Sequence, residues 1–174
     1  RLVDTILKKT SLNDELQTLI EENSIKKSNI DNITGIKLKN IQKNIINNNE
    51  IKYSTLSVDI DRDKKTVTIT IQAPVNKAPS KIEDILSQGD DFWLLRCARE
   101  LDDAILHLRF NELEIGIILF KSKGEIANVL SYDKIFEIFK NDWFVKEVSF
   151  YWRRVFKRID LTSRTLTTLI EPCS

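Results

Sequence analysis

The sequence predicts a layered α/β fold, and three observations carry that prediction. The first is Asp91 to Arg109, where Leu94, Cys97, Ala98, Leu101, Ala104, Ile105 and Leu108 recur at three- and four-residue steps. That spacing puts them on one stripe of an amphipathic helix of about five turns. The second is the run Ile115 to Phe120, apolar almost throughout, which reads as a strand covered on both faces in a parallel sheet. The third lies between Ser54 and Ala73, where the period changes to two. Val58 and Ile60 alternate with Ser57, Asp59 and Asp61, and Val67, Ile69 and Ile71 alternate with Thr66, Thr68 and Thr70. With Asp61 to Lys65 as the polar turn, this predicts an antiparallel hairpin with one face buried. A helix feeding a buried strand is half of a layered α/β unit.

The remaining elements follow in chain order. Ser11, three residues ahead of Asp14, makes a weak capping box for a helix over 12–22 that carries Leu12, Leu16, Leu19 and Ile20. Residues 23–53 are rich in Asn, Lys and Ile, with Asn47, Asn48 and Asn49 consecutive. Their isoleucines keep no regular period, so the stretch is expected to be a linker with at most one short helix. Pro74 and Pro79 bracket a loop, and Ser80 with Glu83 opens a short helix over 82–86 that Gly89 ends. Ala127 to Leu130 is expected as a loop leading to Asp133, the cap of a helix over 134–139. Asp142 caps a second helix whose Phe144, Val148, Tyr151, Trp152, Val155, Phe156 and Ile159 form a wide apolar face. Leu166 to Ile170 reads as a last strand, stopped by Glu171-Pro172.

Composition excludes several classes. The 27 basic and 26 acidic residues nearly cancel, so no overall pull toward nucleic acid or an anionic membrane is implied. Apolar runs are of strand length, against the roughly 20 residues a bilayer span needs. Arg1 to Thr10 has no apolar signal core. The two cysteines, Cys97 and Cys173, form no disulfide framework, which fits a reducing, cytoplasmic setting. Neither they nor the one histidine, His107, has metal-site spacing, and no zinc site is expected. Asp102 and Asp103 are neighbours on a helix, about 100 degrees apart, and cannot act as a proton-sharing dyad. They are expected to pair with Arg99 or Arg109 or to meet another segment. His107 is expected at the surface or its boundary. The chain starts with Arg and ends just after a strand, so an internal piece of a longer protein is expected.

The order hairpin, loop, amphipathic helix, buried strand, loop, helix pair, strand resembles the first half of a crotonase (enoyl-CoA hydratase) superfamily domain. ARELDDAILHLR (98–109), NELEIGIILF (111–120), DWFVKE (142–147) and DLTSRTLTTLIEP (160–172) together resemble the benzoyl-CoA-dihydrodiol lyases within it. Those enzymes are built from two crotonase-like segments in tandem. RLVDTI (1–6) resembles the close of the first segment. The resemblance therefore implies that 1–22 is the tail of a preceding segment and 23–53 a linker. Residues 54–174 would be the N-terminal half of the second segment, a partial ββα superhelix layer of the crotonase type.

The implied activity is opening of the ring of 2,3-dihydro-2,3-dihydroxybenzoyl-CoA with release of formate. No cofactor is implied, since coenzyme A is part of the substrate. The implied partners are the other crotonase segments and a second copy in a homo-oligomer, with neither nucleic acid nor membrane. The family's catalytic cysteine and two glutamates belong to its first segment, upstream of Arg1, and Cys97, on a helix stripe, is not their counterpart. The isolated chain is accordingly expected to be inactive.

Two weak site candidates remain. In the crotonase fold two backbone N–H groups polarise the thioester carbonyl. One of them would come from Asn128, Val129 or Leu130, in a loop without the usual glycine, so a structural reading stands beside the functional one. Glu171 lies at a strand's carboxyl end, where α/β sheets bind ligands, but the favoured reading is a carboxylate that caps a following turn or meets an arginine such as Arg164. The family's second segment reads Glu-Pro-Gly-Ser-Cys there, against Glu171-Pro172-Cys173-Ser174 here. Arg153, Arg154, Lys157 and Arg158 could meet CoA phosphates or form a solvated helix end. A non-catalytic packing or dimerisation module, burying the helix 91–110 and the aromatic face 144–156 against other segments, is the alternative function.

Overall fold

The computed structural model describes residues 6–27 and 35–169. The chain divides into two compact units, Arg1–Gly35 and Ile36–Ser174.

The first unit is built on helix α1, Leu12–Lys27, entered through a 3-10 turn, Lys9–Ser11. Its capping partner is Glu15 and not Asp14: the Ser11 hydroxyl donates to the Glu15 carboxylate, which also accepts the Lys8 N–H at 3.3 Å. With the 3-10 turn ahead of the helix, Asp14 falls too early for the reciprocal bond. Leu12, Leu16 and Ile20 remain exposed.

The second unit is a six-stranded sheet in sequential order. Its first two strands, β1 (Asn44–Ile46) and β2 (Glu50–Lys52), fall in the stretch expected to be linker. The asparagines are the reason. Asn47 and Asn48 have φ of 49° and 58°, and Asn49 N–H donates to Ile46 O at 3.1 Å. Two successive left-handed residues make a primed turn, whose twist matches a hairpin, and asparagine tolerates that region best after glycine. Ile51 then pairs with Val58 and is buried.

The expected hairpin is present as β3 (Leu56–Asp61) and β4 (Thr66–Gln72), antiparallel in register, with Val58 opposite Ile69. After α2 (Ile82–Gln88), which Gly89 ends at φ 57°, comes α3 (Trp93–Asn111). No side chain caps α2, so Ser80 does not serve there. All seven residues of the predicted stripe of α3 are buried. Ala98, Leu101, Ala104, Ile105 and Leu108 pack with Val58, Ile60, Val67, Ile69 and Ile118 of the sheet, while Leu94 joins a second cluster with Phe144, Val145 and Val148, each fully buried aliphatic chain contributing about 1.5–3 kcal/mol.

Strand β5 (Ile117–Lys123) runs parallel to β4, and β6 (Thr165–Thr168) parallel to β5. Among the described residues of this unit the sheet is covered on one face, contrary to the expectation for 115–120: Ile118 is fully buried while its neighbour Ile117 is 37 % exposed. Helix α3 and the helix Trp143–Asp160 supply a single layer, so alternate residues of β5 face away from it.

Helix α4 (Ile126–Ile138) begins eight residues before the expected start, and Asp133 lies inside it. Helix α5 (Trp143–Asp160) starts at Asp142 as predicted, the carboxylate accepting from Phe144 N–H at 2.9 Å and Val145 N–H at 3.3 Å. Removing such a cap costs about 1 kcal/mol. Asp142→Ala is therefore expected to lower the unfolding free energy measured in urea by that amount, and an unchanged midpoint would refute the cap's contribution.

Candidate functional site

The parallel strands β4, β5 and β6 end on the same side of the sheet, where α/β folds place ligands. A cavity of about 640 Å³ opens there. Ile71, Phe120 and Leu166 form its floor, on the sheet face that alternation turns toward the helices. Trp93, Cys97 and Leu101 wall it from α3, Trp152 and Phe156 from α5, and Ile126 and Val129 from α4.

Two indole rings are held by main-chain acceptors. Trp93 donates its ring N–H to Gln72 O at 3.2 Å, and Trp152 donates to Leu94 O at 3.0 Å. At the rim, Gly124 adopts φ 117°, and a Cβ there would stand 2.7 Å from that of Ala73. This close approach lets Ala73 N–H reach Lys123 O at 2.7 Å and joins the ends of β4 and β5.

The lining can bind apolar groups but has little with which to move protons. Among the described lining residues there is neither a carboxylate nor an imidazole. Burial pushes the Cys97 thiol up to about 12, against a smaller lowering from the Thr55 hydroxyl. At pH 8 the thiol is therefore in its protonated, unreactive form. In a Cys173→Ser background, iodoacetamide is expected to leave Cys97 unmodified in the folded chain and to alkylate it fully in urea. Rapid alkylation without denaturant would contradict this reading.

The sequence candidates fall in different places. Asn128, Val129 and Leu130 lie in the first turns of α4 and not in a loop. The N–H groups of Asn128 and Val129 donate to Glu125 O at 3.2 and 3.4 Å. The Asn128 side chain is buried and donates to Pro74 O and Val75 O at 3.0 and 2.9 Å, tying the proline-bracketed loop to α4. Val129 lines the cavity, whereas Leu130 lines a separate groove with Lys134 and Ile138. Glu171 and Cys173 lie outside the described residues. Arg164 is committed elsewhere, donating to Leu108 O at 2.8 Å and Glu112 O at 2.7 Å at the end of α3.

The charged residues of α3 meet other segments more than each other. Asp102 pairs with Arg158 at 2.9 Å and accepts from the Tyr151 hydroxyl at 3.3 Å, both on α5. Asp103 accepts from Lys43 and Tyr53, each at 2.7 Å. Arg99 turns to Lys39 O at 2.6 Å and to Asp90, at 3.5 Å. The Lys39 backbone N–H and the cations of Lys39 and Arg99 hold Asp90 below the usual carboxylate range. His107 bonds to the Asn111 side chain at 3.1 Å. Of the α5 cations, Arg154 lies over the Tyr151 ring at 4.6 Å and Arg153 over Phe150 at 5.5 Å.

One residue escaped the sequence reading. Glu100 is 4 % exposed and accepts from both the N–H and the hydroxyl of Ser54 and of Thr55, at 2.5–3.3 Å. It lies three residues after Cys97 and four before Ala104, so helical spacing alone sets it against the stripe.

No family model matches the chain. Over all 174 of its residues the chain is similar, at 34 % identity, to the benzoyl-CoA-dihydrodiol lyase of Aromatoleum evansii, of whose length it spans 31 %.

Proposed function

We propose that the chain is one part of a crotonase-type lyase that opens the ring of 2,3-dihydro-2,3-dihydroxybenzoyl-CoA and releases formate. The observation that carries this reading is the similarity to a benzoyl-CoA-dihydrodiol lyase along the whole chain. In this reading 54–174 begins a second crotonase-like segment and 1–22 closes the one before it. The thioester carbonyl is the electron sink, and the groups that move protons lie in the preceding segment. The cavity at the ends of β4, β5 and β6 receives an apolar part of the substrate, with Val129 on its wall. No cofactor beyond the substrate's own coenzyme A takes part, and the protein works in the cytoplasm as a homo-oligomer. Among the described residues no helix is long and apolar enough to cross a membrane.

The second reading, a packing or dimerisation module, is favoured by the exposure of Ile126, Phe156 and Leu166 around the cavity mouth. It draws less support from α3, whose apolar stripe is already buried against the chain's own sheet.

The test is formate release from the dihydrodiol thioester, measured for the complete gene product and for the 174-residue chain separately. Formate is expected from the complete product alone. Its absence from both would overturn the lyase reading, and ring opening by the 174-residue chain would overturn the placement of the chemistry.

A further inference from the structure

We draw no further inference here: the strongest candidate, the apolar cavity at the carboxyl ends of β4, β5 and β6, belongs to the site already described, and nothing in the structure shows what covers the next, the exposed Leu12, Leu16 and Ile20 face of α1.

Discussion

Replacing Glu100 by leucine is expected to lower the stability of the Ile36–Ser174 unit by about 2–4 kcal/mol, from one buried N–H left unpaired and the hydroxyl bonds lost with it. The carboxylate accepts the backbone N–H groups of Ser54 and Thr55 at 3.3 and 2.7 Å and their hydroxyls at 2.6 and 2.5 Å. The two hydroxyls can rotate toward other acceptors. The two N–H groups cannot, because the chain there is fixed on both sides: Tyr53 N–H donates to Leu56 O at 2.9 Å and Gln72 N–H to Thr55 O at 2.8 Å. The Thr55 N–H, on a residue 5 % exposed, is then a buried donor without a partner, at a cost of about 1–3 kcal/mol, whereas Ser54 is exposed and its N–H can bond to water.

Urea unfolding of the wild type and of Glu100→Leu, with Thr55→Val as the comparison, separates the contributions. Thr55→Val removes one hydroxyl bond and keeps the N–H bond, so about 1 kcal/mol is expected. A loss below that for Glu100→Leu would mean that the turn between β2 and β3 is held by something other than this carboxylate.

Glu100 also shows where legibility ended. The stripe of α3 could be read because seven apolar residues repeat a helical period, and the β3–β4 hairpin because valine, isoleucine and threonine alternate. The cap at Asp142 could be read because a short acidic residue precedes an apolar periodic run, and local chemistry decides it. Each of these signals lies within one element. What Glu100, Asp102 and Asp103 touch is set by residues 45 to 60 positions away, on the β2–β3 turn, α5 and the segment before β1. No periodicity within α3 records those partners.

The Asn-rich stretch failed for a different reason. Richness in Asn and Lys and irregular isoleucines read as linker, while the deciding information was the left-handed tolerance of Asn47 and Asn48, a property of two residues. The site was half legible. That a cavity would lie at the strand ends follows from the fold class, but Asn128 to Leu130 were expected in a loop. The run IANVL has no helix-breaking residue after Gly124, and the backbone continued α4 toward the strand.

Leu101→Ala is expected to cost about 3 kcal/mol and Ile105→Ala about 4 kcal/mol, and the difference between them tests the cavity itself. Both side chains are on the buried stripe of α3, at 1 % and 0 % exposure, and both substitutions remove three carbon atoms. The transfer contribution is therefore alike, about 2.4 kcal/mol at ~0.8 kcal/mol per methylene. What differs is the space left behind. Ile105 is not among the residues lining the cavity, so its removal opens a new closed void, and each missing contact adds to the cost. Leu101 already borders the cavity of about 640 Å³, so on that side there are few contacts to lose. Neighbouring tethers keep α3 from sliding to fill either gap: Trp152 to Leu94 O at 3.0 Å, Arg158 to Asp102 at 2.9 Å, and the Glu100 bonds beside Leu101. Urea midpoints measured on the 174-residue chain and on the complete gene product give the two differences side by side. In the isolated chain Leu101→Ala should be the milder change. If it equals or exceeds Ile105→Ala there, the cavity is closed or filled in solution, and the ligand reading of that wall falls. If the order reverses only in the complete product, another part of that protein packs against Leu101, and the packing-module reading takes precedence over the substrate cavity.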